Sequence, residues 1–195
     1  MHDIHPDYLN ISYNGEPVAA GKILVSEPFS KDLFFKRTVI LLTEYSPAGA
    51  FGFILNRPLK VKLSDLLEKV KSGSTEVSLG GPVGSNTLHY LHTLSEIPES
   101  IRIIPGLYWS GQLDVLLQQF SDPFLPAGKV RFFLGYAGWS AGQLEEELSR
   151  NAWVVTPASI SMVMTTEGDL WSEALRRMDG KYRHWANFPE NPSDN

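Results

Sequence analysis

Cysteine is absent from the 195 residues, which removes disulfide frameworks, thiolate nucleophiles and thiolate metal sites together. No stretch approaches the roughly 18 uncharged apolar residues that a membrane-spanning helix needs, so no membrane association is expected. The opening segment MHDIHPDYLN lacks the basic-then-apolar pattern of an export signal, and the expected location is cytoplasmic. Positive charge is scarce as well. Seventeen Lys and Arg stand against 22 Asp and Glu, for a net charge of -5, and such a chain is repelled by a phosphate backbone unless its cations are concentrated. They are not: Lys31, Lys36 and Arg37 form one loose group and Lys60, Lys62, Lys69 and Lys71 another. Neither is a continuous run or part of a helix-turn-helix, so both read as solvated surface and no direct nucleic-acid binding is expected. A small anionic ligand or a protein partner is compatible with this balance; a bound cofactor is not indicated, and nothing fixes the oligomeric state.

What is present is core material. Hydrophobic residues make up 43% of the chain, with ten Phe, seven Tyr and five Trp, enough for one globular domain and short for two. Residues 1–20 are expected to be loosely ordered, 21–183 to form the domain, and 184–195 to be a polar tail whose composition cannot bury enough surface to fold alone. Lys22 to Ser26 reads as a strand, and Thr38 to Glu44 with Phe51 to Asn56 as a hairpin around a long turn, Tyr45 to Ala50. Both arms are nearly continuously apolar where a half-exposed strand would alternate, which places the hairpin mid-sheet with both faces covered.

Leu63, Leu66, Leu67 and Val70 have helical spacing, with Ser64 as N-cap and Gly73 past the end. Leu113, Leu116, Leu117 and Phe120 repeat that spacing from about Gly111 to Ser121, ahead of Pro123 and Pro126. Glu76 to Leu79, Thr87 to Thr93, Arg102 to Ile104, Val130 to Leu134 and Trp153 to Thr156 are further strands. A helix from Ala141 to Arg150 opens with Ser140 and Gln143 in capping-box spacing, and a last one carries Trp171, Ala174, Leu175 and Met178 up to Gly180. Without a regular βαβ rhythm, the class is α+β, a mixed sheet with helices packed around it.

The stretch Gly135-Tyr136-Ala137-Gly138-Trp139-Ser140-Ala141-Gly142-Gln143 admits three readings. Gly138 to Gly142 is a literal G-x-S-x-G with Asp169 or Asp179 and then His184 downstream, the order of a serine hydrolase; the four residues Gly135 to Gly138 intervene after Leu134 ahead of Trp139 and Ser140, however, and Ser140 is needed as a helix cap. Alternatively, the glycines let the backbone approach an anion at the helix N-terminus. In the third, Gly135, Gly138 and Gly142 serve a tight connection and close packing, and this weighs most. Asn56-Arg57-Pro58 places a guanidinium at a strand end, suited to clamping a carboxylate or phosphate. His89 and His92 point to opposite strand faces and lack a third ligand, so no metal is expected. Glu145, Glu146 and Glu147 read as a solvated, dipole-favoured helix start.

The segments GKILVSEPFSKDLFFKRTVILL, GAFGFILNRPL, GGPV, RFFLGYAGWSAGQLEEELSRNAWVV and LWSEALRRMDGKY, in that order, resemble the AlgH/YqgE family of bacterial proteins. The likeness spans Gly21 to about Gly180. It departs at Ser140-Ala141, where the family pattern has Gly-Pro, so the serine of the apparent elbow is not a family feature. The resemblance implies an α+β domain with a mixed, bifurcated sheet curled into a pseudo-barrel and flanked by helices. Some members are labelled regulators of transcription of alginate synthesis, and no catalytic roles come with the motif positions. These are Asp32, Arg37, Asn56, Arg57, Pro58, Gly80, Gly81, Pro82, Gly135, Gly138, Trp139, Gly142, Gln143 and Leu144. The leading expectation is a cytoplasmic binding or regulatory protein with a ligand site where Arg37, Asn56, Arg57, Gly138, Trp139 and Gln143 converge; the alternative is an enzyme, such as a hydrolase using Ser140.

Overall fold

A computed structural model describes residues 11–30, 32, 34–70, 75–120 and 128–189. Lys31, Lys71, Gly73, Ser121, Pro123, Pro126 and the last six residues, all invoked above, lie outside them. Among the described residues, ten strands and six short helices follow the order β1 (Lys22–Ser26), β2 (Val39–Ser46), β3 (Gly49–Ile54), β4 (Pro58–Lys62), α1 (Leu63–Leu66), β5 (Glu76–Leu79), β6 (Val83–His92), β7 (Ile101–Ile104), β8 (Leu107–Trp109), α2 (Leu113–Phe120), β9 (Val130–Ser140), α3 (Gln143–Ser149), β10 (Trp153–Pro157), α4 (Ile160–Met164), α5 (Leu170–Arg176) and α6 (Tyr182–Trp185). This is the expected α+β class, with one mixed, bifurcated sheet.

The strands run β10-β1-β2-β3-β9-β6-β8-β7, and β5, carrying β4 on its far edge, branches off β9. Every pairing is antiparallel except β5 with β9. The branch point is Gly135. Before it, Phe132 to Leu134 pair with Val77 to Leu79 of β5; after it, Ala137 to Ser140 pair with Gly52 to Gly49 of β3. The path does not close into a barrel.

The hairpin β2–β3 is covered on both faces, as its unbroken apolar runs require. Alternation sorts one strand into two cores. Val39 and Leu41 join Ile23, Val25, Phe53 and Leu55 under α5 and α6, with Trp171 and Trp185 fully buried there. Ile40 and Leu42 join Leu24, Ile54, Trp139 and Trp153 under Leu144 and Leu148 of α3. A third cluster packs Leu116 and Leu117 of α2 with Leu63 onto Val77, Tyr90, Val130 and Phe132. The turn is tighter than expected: β2 runs to Ser46 and β3 starts at Gly49, because a bulge between Leu42 and Glu44 brings Tyr45 opposite Ala50 and Ser46 Oγ accepts from the Ala48 N–H.

Two local expectations are corrected. The spacing from Leu63 to Val70 yields only one helical turn. Lys62 is its N-cap, Asp65 accepts from the Lys62 N–H, and Leu67 is already extended. The glycine stretch after Leu134 is not a loop but the second half of β9. Strand pairing to β3 on one side and to β6 through Val83 and Tyr136 on the other satisfies its main chain. Its glycines are there for close approach. A Cβ on Gly80 would lie 2.2 Å from the Gly135 oxygen, and one on Gly81 would lie 2.0 Å from the Tyr136 carbonyl carbon. The GGPV and GYAG blocks are thus the two sides of one backbone crossing. Gly138 leaves room for the Tyr136 ring, 3.1 Å from the Cβ position.

Candidate functional site

The residues expected to converge fall into two groups at opposite ends of β3. Gly138, Trp139 and Ser140 pair with Phe51, Ala50 and Gly49, whereas Asn56 and Arg57 follow the other end of that strand, a separation of roughly 20 Å at ~3.3 Å per residue. Each group is internally occupied. Gln143 Oε1 accepts from the N–H and the hydroxyl of Ser140 at 3.1 and 3.2 Å, and Gln143 Nε2 donates to Glu147. The other oxygen of Glu147 accepts from the indoles of Trp139 and Trp153 at 2.8 and 2.7 Å. Glu147 is therefore a buttress between two core tryptophans and not a solvated residue. The N-cap of α3 is Gly142 in the left-handed region, not Ser140, and the helix is seven residues long. Ser140 is the last residue of β9, paired with Gly49. Among the described residues its hydroxyl contacts no His or carboxylate, so the nucleophile-and-base arrangement of a hydrolase is not assembled.

At the other end, Arg37, Asn56 and Arg57 do come together. Asn56 Oδ1 accepts from the Val39 N–H and its amide donates to the Arg37 carbonyl, pinning Arg37 at a positive φ of 48°. The Arg37 guanidinium lies 4.5 Å over the Trp171 ring and donates to the Phe188 carbonyl. Arg57 donates to the Lys36 carbonyl and to Thr38 Oγ1. These cations brace the segment between β1 and β2 against β3 and the C-terminal helices.

Asn56 is also on the wall of a cavity of about 520 Å³, within the ~300–1,000 Å³ of small-molecule sites. Leu55, Pro58, Glu76, Ser78, Lys129, Arg131 and the segment Met164 to Gly168 line the rest of it. The dominant residue is Arg131, only 5% exposed. Its guanidinium Nη1 donates to the carbonyls of Val163 and Thr165 at 2.6 and 2.9 Å, and Nη2 to the Leu55 carbonyl at 2.8 Å and Ser78 Oγ at 3.2 Å. Val163 and Thr165 belong to the C-terminal turn of α4, where carbonyls lack intrahelical partners and the helix dipole favours a cation. Four of the five N–H donors of an arginine are thus used by the protein, leaving Nε–H. No carboxylate pairs with this cation among the described residues. Burial alone pulls its pKa down to about 10, so the charge persists at neutral pH.

Sequence reading missed this residue although its signal was visible: a single cation inside the run Val130-Arg131-Phe132-Phe133-Leu134, in a strand buried on both faces. A charge in that position must be hydrogen-bonded throughout or serve a ligand. The histidines occupy separate environments. His92 Nε2 is 2.9 Å from the Ser110 carbonyl, while His89 sits among Phe51, Phe53, Trp109 and Tyr136 with its Nε2 buried and unpartnered. Burial pushes both below the ordinary histidine value. No group of three or more metal-ligating side chains occurs among the described residues, and no described helix is long and apolar enough to cross a membrane.

A family model described as AlgH-like matches residues 23–183. A UPF0301 protein of Bacteroides fragilis is 38% identical over 195 residues, covering 99% of this chain and 100% of that one. A UPF0301 protein of Chlorobium luteolum is 40% identical over 180 residues, covering 91% and 95%. Among solved structures, the solution structure of the AlgH protein from Pseudomonas aeruginosa is similar with a TM-score of 0.68 at 30% identity, over 83% of this chain and 89% of that one. The crystal structure of a Corynebacterium diphtheriae protein superposes with a TM-score of 0.76 at 24% identity, over 89% and 94%, a likeness of fold.

Proposed function

The chain belongs to the AlgH-like family, and from that premise we propose that it is a binding protein that takes the anionic group of a small molecule in the cavity beside Arg131. The observation that carries this reading is a buried, protonated guanidinium, without a carboxylate partner among the described residues, on the wall of a cavity of about 520 Å³. A buried charge is expensive to keep, and carbonyl oxygens compensate it only in part. Lys129, Ser78, Thr165 and Thr166 also line the cavity. Of the six residues expected to form a site, the proposed one keeps Asn56 and leaves out Arg37, Arg57, Gly138, Trp139 and Gln143. A direct DNA contact forms no part of the proposal, since the net charge is -5 and the longest described helix, α2, has eight residues and turns Leu116 and Leu117 into a core.

The test is NMR titration of the full chain with sodium acetate, succinate and inorganic phosphate at low ionic strength. Saturable shifts clustered on the Arg131 Nε–H and on the amides of Ser78 and Thr165 to Gly168 are expected. Shifts confined to Ser140 to Gln143, or none at saturating anion, would overturn the proposal.

A further inference from the structure

The charges around the cavity are arranged in a way that narrows what it binds. Among the described residues, four formal charges line it, Arg131 and Lys129 against Glu76 and Glu167. Among the described residues none of the four is in an ion pair. They are also layered: Arg131 is buried and Lys129 half-buried, while both carboxylates are exposed. Strand geometry places Glu76 on the side of Arg131. Val77 of β5 pairs with Phe132 of β9, so Glu76 and Ser78 project to the opposite face from Val77, the face on which Arg131 also lies. Ser78 accepts from Arg131 accordingly. Glu76 makes no ion pair with it among the described residues.

From this we infer that the occupant is a small zwitterion, an α-amino-acid-like molecule whose carboxylate faces Arg131 and Lys129 and whose ammonium faces Glu76 and Glu167. The inference rests on the binding role proposed above and specifies its ligand class. A cavity with balanced lining charge matches a molecule that is neutral overall with separated charges. Two carboxylates at the mouth repel a polyanion such as a di- or triphosphate. One spare guanidinium N–H together with hydroxyl donors suits a monocarboxylate, whereas a phosphate dianion needs several donors at once.

The deciding experiment is calorimetric titration of the full chain with the free L-amino acids, their N-acetyl derivatives, which keep only the carboxylate, their amides, which keep only the ammonium, and inorganic phosphate. At least one free amino acid is expected to bind about tenfold or more tightly than either of its derivatives and than phosphate. The double variant Glu76→Gln with Glu167→Gln, both exposed positions that should leave folding intact, is expected to lose most of that preference while N-acetyl derivatives bind unchanged or more tightly. Equal or tighter binding of an N-acetyl derivative or of phosphate by the wild type overturns the zwitterion and leaves the anion site standing. An unaltered preference in the double variant also overturns it. Absence of binding by every carboxylate and by phosphate overturns the cavity role, and this inference with it.

Discussion

Replacing Arg131 by Met tests whether the buried guanidinium is a structural tie as well as a candidate ligand contact. The substitution removes four hydrogen bonds from a charged donor, each worth about 1.5–3 kcal/mol, and leaves the carbonyls of Leu55, Val163 and Thr165 without that partner. It also sheds a penalty. Burial pulls the group down from its ordinary value to about 10, which corresponds to roughly 3 kcal/mol of lost solvation. With the lower end of the bond range at all four positions, the net loss is about 3 kcal/mol. Urea unfolding followed by tryptophan fluorescence reads this directly: with a slope of about 2–3 kcal/mol per molar for a chain of this size, the midpoint should fall by about 1 M. Arg131→Lys, which keeps the charge and at most three donors, should lie between. The sign with pH is fixed. A base with a lowered folded pKa costs stability at every pH below that value, and the cost is relieved only as pH climbs above about 10 towards the ordinary arginine value. The gap between wild type and Arg131→Met should therefore be flat between about pH 7 and 9. A neutral or stabilised Arg131→Met, as found where apolar residues replace buried ionic groups, would refute the reasoning and mean that water entering from the cavity satisfies those carbonyls.

The backbone crossing predicts a contrast between glycines. Gly81→Ala drives a Cβ into main-chain atoms of Tyr136 and Ala137 at 2.0–2.3 Å and should abolish cooperative unfolding, whereas Gly142→Ala meets nothing within 4 Å and should cost only about 1 kcal/mol for its left-handed φ. Both are read by thermal melts. His89, held below the ordinary histidine value by burial, stays neutral in the fold while its unfolded counterpart takes up a proton, so its contribution is complete above about pH 6.5 and is lost as pH falls below it. His89→Phe, which removes an unpartnered buried Nε2 from an aromatic cluster, should flatten that part of the acid profile, and an unchanged profile would contradict this. A fluorophosphonate probe should leave Ser140 unlabelled, since no base contacts its hydroxyl among the described residues; labelling lost in Ser140→Ala would reinstate the hydrolase reading.

Sequence alone determined whatever depends on neighbours along the chain. Unbroken apolar runs at Val39 to Leu42 and Phe53 to Leu55 required a strand with two covered faces, and two cores meet there. The strand limits at Lys22–Ser26 and Glu76–Leu79, and the family itself, were legible from local pattern and ordered motifs. Tertiary structure decided the rest, because it turned on which distant groups meet. The glycines of Gly135 to Gly138 read as a tight connection before a helix, yet strand partners on both sides and the contact with Gly80 and Gly81 make them part of one continuous β9. Arg57 and Gln143 looked like partners, yet β3 lies between them as a spacer. Arg131, one cation in an apolar strand, gained its meaning only when carbonyls from the residue after β3, from α4 and from its C-cap closed around it, an enclosure built from residues 32 to 76 positions away in the chain.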